Sequence, residues 1–139
     1  MNLSFTLYGQ PITKKNSPRI VKAGRRAMLL PSAQYKQYEK DCLKQITGQA
    51  RKRIDFPVNV QSVFYMQTRR RVDKSNLEAA LHDILVAAGV LEDDNRDIIA
   101  GTDGSRVLYD KQNPRVEITI TEMRDYAQWK QTERVRVKR

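Results

Sequence analysis

The stretch Leu77-Glu78-Ala79-Ala80-Leu81-His82-Asp83-Ile84-Leu85-Val86-Ala87-Ala88-Gly89 decides the fold. Leu77, Ala80, Leu81, Ile84, Leu85 and Ala88 recur at i, i+3, i+4, i+7, i+8 and i+11, which draws one apolar stripe along a helix. Gly89 suits the position just past its C-terminus, where the backbone turns left-handed. A single stripe needs another layer to cover it. Asp83 lies off the stripe, on the side of Asn76 and Ala79.

Strand patterns lie on both sides of this helix. Upstream, Val58 to Met66 places Val58, Val60, Ser62, Phe64 and Met66 on one face at period two, after Pro57. Downstream, Val116, Ile118 and Ile120 share a face of a last strand, Val116 to Thr121, after Asn113-Pro114. Between them come Ile98-Ile99-Ala100, a turn region from Gly101 to Gly104, and Ser105-Arg106-Val107-Leu108-Tyr109. At the start of the chain Leu3, Phe5 and Leu7 alternate over residues 2–8, and Gly9-Gln10-Pro11 ends that strand. Gly24 suits a small hairpin between Arg19-Ile20-Val21 and Ala27-Met28-Leu29. Ser32 reads as the N-cap of another amphipathic helix carrying Tyr35, Tyr38, Cys42, Leu43 and Ile46. Gly48 and Arg51-Lys52-Arg53 mark its end, where cations suit the helix dipole. The order predicts an α/β (α+β) domain: a small mixed β-sheet packed with two main helices. A domain over residues 1–123 is followed by a basic tail over 124–139, partly helical around Tyr126 and Trp129 or disordered.

Composition narrows the function classes. The 139 residues suit one domain, and 40% hydrophobic residues are too many for a disordered chain. The balance of 26 Lys+Arg against 16 Asp+Glu gives a net charge of +10, which favours a polyanionic partner. No stretch approaches the roughly 18 apolar residues of a membrane span, so nucleic acid is preferred over membrane. The N-terminus lacks the basic start and apolar run of a secretory signal. One cysteine, Cys42, cannot form an internal disulfide and fits a reducing cytoplasm, and a single histidine, His82, rules out a Cys/His zinc site. Cys42 falls on an apolar helix face and reads as core.

Against this basic background the acids are crowded. Asp73 follows Arg69-Arg70-Arg71-Val72, and Glu92-Asp93-Asp94-Asn95 follows Gly89-Val90-Leu91. Clustered carboxylates repel one another and repel phosphate, and a divalent cation between them and a nucleic-acid backbone resolves both problems. Asp73 reads either as a helix cap or as a metal ligand. Ser75-x-x-Glu78 matches a capping box, which would assign the cap to Ser75 and leave Asp73 to the second role. Asn76, in the first turn, suits capping, ligation through its carbonyl, or holding a ligand carboxylate in place. For Asp73 to meet Asp94, the chain after Gly89 must double back along the helix. Arg69, Arg70 and Arg71 read as a phosphate grip or as an exposed charge run. The acid-free run from 11 to 26, with Lys14, Lys15, Asn16 and Arg19, reads as a phosphate-facing arm or a solvated loop.

Asp73-Lys74-Ser75-Asn76-Leu77, then Ala80-Leu81-His82-Asp83-Ile84-Leu85, then Ala88-Gly89-Val90-Leu91-Glu92-Asp93-Asp94 resembles the RusA-type Holliday junction resolvases, small homodimeric endonucleases common in prophages. Gly9-Gln10-Pro11 with Lys14-Lys15-Asn16-Ser17-Pro18-Arg19 is similar to the family's opening. The resemblance covers residues 2–123. It implies a Mg²⁺-dependent crossover junction endodeoxyribonuclease, with Mn²⁺ as a substitute, acting as a homodimer on branched DNA in recombination and repair. It further implies catalytic roles for Asp73, Asp94, Asp93 and Lys74, metal ligation by Asp73, Asp94, Asn76 and Asp83, and DNA contacts from Lys14, Lys15, Asn16, Arg19, Arg69, Arg70 and Arg71. The chain departs from the family pattern twice. Ser75 stands at the position of the motif's second acid and Ala79 at that of a helix lysine, with Lys74 or Arg71 as substitute cations. A branched-DNA binder that does not cut is the alternative reading.

Overall fold

A computed structural model of the chain describes residues 1–14, 19–23, 26–30 and 32–123. The elements are β1 (Asn2–Tyr8), β2 (Arg19–Ala23), β3 (Arg26–Leu30), α1 (Ala33–Gln45), β4 (Val58–Met66), α2 (Lys74–Ala87), β5 (Ile99–Gly101), β6 (Arg106–Tyr109) and β7 (Arg115–Glu122), with a short 3₁₀ turn at Gly48–Ala50. β2 and β3 form the expected hairpin. The remaining five strands make one mixed sheet in the order β1-β7-β4-β5, with β6 beside β4. β4 runs antiparallel to β7 and parallel to β5 and β6. The short β5, from Ile99 to Gly101, is a strand beyond those the periodicity predicts, because three residues are too few to show alternation.

Period two sets the layers. Leu7, Val116, Phe64 and Val107 lie in register across β1, β7, β4 and β6. The first three of these are fully buried, and with Val60, Ile118 and Ile120 they face Tyr35, Tyr38 and Cys42 of α1 and Leu77, Ala80, Leu81, Ile84 and Leu85 of α2. One residue along, Tyr8, Arg115, Tyr65 and Leu108 form the adjacent row, on the other face of the pleat. Arg115 lies 3.8 Å over the Tyr65 ring, held there by Asp110 and Glu117. Among the described residues no helix is long and apolar enough to cross a membrane.

The helix ends explain how the two layers are clamped. Ser32 caps α1 as its sequence predicts, its hydroxyl accepting the Tyr35 N–H at 3.0 Å. Gly89, at φ 77°, closes α2 with paired bonds from its own N–H to Val86 O and from the Val90 N–H to Leu85 O. That is the left-handed cap expected there. α1 stops at Gln45, short of Gly48, which sits in the 3₁₀ turn. The Arg51 guanidinium then reaches back to Leu43 O at 2.9 Å, Ile46 O at 3.2 Å and Ala88 O at 3.0 Å. One cation therefore satisfies orphan carbonyls at the C-termini of both helices.

The chain after Gly89 turns against the segment before β4. Arg53 and Ile54 donate to Gly89 O and Val90 O, and the Glu92 N–H returns to Ile54 O at 2.9 Å. Val90 and Leu91 are buried, and residues 92–97 are exposed. Asn95 then folds the chain into β5, its backbone O accepting from Ile98 and Ile99 and its side chain from Asp97. A basic tail and its helix were expected over 124–139; those residues lie outside the described ones.

Candidate active site

Asp73, not Ser75, is the N-cap of α2. Its Oδ1 accepts the Ser75 N–H at 2.9 Å and the Ser75 hydroxyl at 2.5 Å. Asp73 holds an extended backbone while Ser75 already lies inside the helix, so the expected Ser75-to-Glu78 capping box does not form. Glu78 instead receives the Lys74 ammonium at 2.9 Å, one turn back along the helix. The two readings of Asp73 are therefore not exclusive: one carboxylate oxygen serves the cap, and the group stands on the edge of a cleft.

That cleft, of about 810 Å³, lies between residues 9–13 after β1, the outer side of α1, and the 66–73 segment that leads from β4 into α2. Arg70, Arg71, Asp73 and Asn76 line one wall, and Gln34, Gln37 and Asp41 the other. The Arg69-Arg70-Arg71 triplet diverges. Arg69 lies 4.2 Å over the Tyr109 ring at the sheet edge, and Arg70 and Arg71 are exposed on the cleft.

The second acidic group gathers further along α2. The Asp93 carboxylate accepts the Asp94 N–H at 2.7 Å and the Asn95 amide at 3.2 Å. Desolvation, the hydrogen bond with Asp93 and the charge of Asp83 all raise the Asp94 carboxyl above its ordinary value, against a smaller opposing effect from a backbone hydrogen bond. Asp94 thus returns as far as Asp83 and His82 on α2. His82 is pushed down by burial, partly offset by Glu78, Asp94 and Asp83, and its buried Nε2 has no hydrogen-bond partner. It is therefore uncharged at neutral pH and is no phosphate clamp. The Asp83 carboxylate is met by Lys14, whose Nζ lies 2.6 Å away and 5.8 Å from the centre of the Tyr35 ring.

Among the described residues no three His, Cys, Asp or Glu side chains converge on one point as ligands. The donor chemistry nevertheless fits a hard cation. The available groups are carboxylates and an amide, all oxygen donors, and Asp94 is raised by desolvation and then by Asp93 and Asp83, whose charge a cation would neutralise. Lys15, Asn16 and the Arg19 side chain, predicted to touch DNA, lie outside the described residues.

Sequence reasoning missed the Lys14–Asp83 pair, the Arg51 staple and the glutamine wall of the cleft. The pairs are separated by tens of residues, and lone glutamines carry no motif. Comparison with known proteins adds one result. No curated protein matches the chain. The family model described as endodeoxyribonuclease RusA matches residues 9–121, a span that holds every cleft residue but Tyr8, both acidic groups and the whole of α2, so the chain belongs to the RusA endodeoxyribonuclease family.

Proposed function

We propose that the chain is a metal-dependent, structure-specific endodeoxyribonuclease that resolves four-way DNA junctions by paired symmetric nicks, in recombination and repair. The observation that carries this reading is the position of Asp73: an acid at the N-cap of α2, on a cleft that Arg70 and Arg71 also line. Family membership supplies the DNA-cutting class, and a net charge of +10 suits the phosphate backbone.

Asp73 and Asp94, with Asn76, Asp93 and Asp83 in support, would hold Mg²⁺, or Mn²⁺ in its place. When bound, such a cation lowers the pKa of a water and neutralises charge on the scissile phosphate. The remaining work falls to the chain's own groups. Arg70 and Arg71 hold the phosphates that flank the cut, and their fixed charge favours the added negative charge of the transition state. Lys74 stands beside Asp73 as a further cation, balanced by Glu78 in the absence of DNA. Arg69, Lys14, Lys15, Asn16 and Arg19 extend the electrostatic track outward. A two-fold dimer presents two such sites to a two-fold substrate, so each strand pair is nicked symmetrically. Junction is preferred over duplex by its shape and deformability.

A second reading has one observation in its favour: no ready three-ligand group forms among the described residues. On that reading the chain binds branched DNA without cutting it. Asp94→Asn separates the two. A nuclease loses its nicks and keeps junction affinity, whereas a binder has no nicks to lose in Mg²⁺ or Mn²⁺.

A further inference from the structure

Asp93 and Asp83 both crowd Asp94, and the two are satisfied in different ways. Asp93 accepts from its own turn, the Asp94 N–H and the Asn95 amide. Asp83 is met from a distant part of the chain, by the Lys14 ammonium at 2.6 Å. Packed elements bring that ammonium there. Pro11 and Thr13 are buried, so the backbone is anchored one residue before Lys14. The Tyr35 ring, fully buried, lies 5.8 Å from the ammonium, and its hydroxyl reaches Ala80 O at 3.5 Å, about one helical turn before Asp83. Both members of the pair nevertheless stay partly open to water.

An ammonium in this place does part of what a divalent cation would do. It neutralises an acid whose charge raises the Asp94 carboxyl. It also opposes a second cation, because the two repel each other and claim the same carboxylate. On DNA the same ammonium has another partner in phosphate. The Lys14–Asp83 contact must therefore open for Asp83 to serve a metal, and it must open for Lys14 to serve a phosphate. When metal and DNA bind together, it opens once and not twice. Each ligand then eases the binding of the other by the same factor.

We propose that Lys14 is a stand-in cation: it occupies Asp83 while the acids hold no metal, and passes to a DNA phosphate when Asp83 turns to a divalent cation, so that metal and DNA bind cooperatively through one ion pair. The inference rests on the metal-dependent cutting reading and adds to it a residue that links the two ligands.

The test uses the full chain with Ca²⁺, a hard cation bound through oxygen like Mg²⁺, on a four-way junction checked to be whole on a denaturing gel. Calorimetric titration first gives the Ca²⁺ affinity without DNA. Lys14→Gln is expected to bind Ca²⁺ about threefold to fivefold more tightly than wild type, the span that an exposed ion pair allows. Lys14→Arg, which keeps the charge, is expected to follow the wild type. Fluorescence anisotropy then gives junction affinity in Ca²⁺ and in EDTA at one ionic strength. The gain that Ca²⁺ brings is expected to be larger in the wild type than in Lys14→Gln, by the same factor as in the first measurement. Equal Ca²⁺ affinity in wild type and Lys14→Gln, or an equal gain in both, overturns the proposal. A wild type that binds no Ca²⁺ overturns it too, and cleavage in Mg²⁺ then judges the nuclease reading by itself.

Discussion

The Lys14 ammonium lies 2.6 Å from the Asp83 carboxylate, so a cation from the segment after β1 sits on an acid of α2. The two side chains are 43% and 40% exposed, and such a pair contributes about 1 kcal/mol at most. A phosphate can therefore take Lys14 at little cost. Lys14→Ala is expected to leave thermal stability within about 0.5 kcal/mol of wild type. It should also reduce the slope of log affinity against log salt for junction binding by about 0.9, the loss of one phosphate contact. An unchanged slope would leave Lys14 as a structural partner of Asp83 alone.

Asp73 has two roles that substitution can separate. Asp73→Asn keeps a capping side chain and removes the charge. Stability is expected to stay within a few tenths of a kcal/mol while cleavage is lost. Asp73→Ala removes both and is expected to cost about 1 kcal/mol in urea unfolding as well. Cleavage retained in Asp73→Asn would reduce Asp73 to a cap.

Asp94 holds its proton more tightly than an ordinary aspartate because it is partly desolvated, bonded to Asp93 and close to Asp83. A cation must displace that proton, so cation binding and cleavage should fall with acid at a higher pH than an unperturbed carboxylate would give. Asp94→Asn relieves the crowding. Without metal its melting temperature is expected to match or slightly exceed that of wild type, and the rise in melting temperature that Mn²⁺ gives the wild type should disappear.

His82 is the chain's one histidine, so its titration can be followed directly by NMR. Burial lowers its pKa, and the nearby acids only partly restore it. The midpoint is expected below the ordinary value of about 6.5, and lower still in Asp94→Asn, which removes one of the charges favouring the imidazolium. In the unfolded chain the same ring takes its proton more readily. His82 therefore costs the fold stability as pH drops through about 6.5 and below, and none above. A midpoint above 6.5 would contradict the packing described around α2.

Arg51 donates to carbonyls at the ends of both helices. Arg51→Ala is expected to destabilise by about 1.5 kcal/mol, the lower end for bonds to a charged group because the side chain is exposed to water. The urea midpoint should fall with an unchanged slope. Arg51→Lys should recover only part, since a single ammonium cannot span three carbonyls.

Periodicity made most of the fold legible. The stripe from Leu77 to Ala88 and the alternation over Val58 to Met66 each bury one face, and a buried face leaves its period in the sequence. Gly89 and Ser32 were legible for a related reason, since each supplies a backbone or side-chain property that a helix end requires. β5 was not, because it is three residues long. The cap at Asp73 was misread because Ser75-x-x-Glu78 and Asp73 compete for the same helix start, and the extended backbone at Asp73 decides between them. The acids of the candidate site were legible as a cluster in a basic chain. Their partners were not: Lys14 meets Asp83 and Arg51 meets Ala88 only after the sheet and helices have packed, and no local pattern records that meeting.

On the proposed function, this chain cuts branched DNA with the acids of α2 and the 92–97 loop. Its most direct test is cleavage of an end-labelled four-way junction beside the matching linear duplex, in Mg²⁺ and in EDTA. Paired nicks are expected at symmetric positions in the junction, with none in the duplex and none in EDTA. Tight junction binding with intact strands in both Mg²⁺ and Mn²⁺ would contradict it.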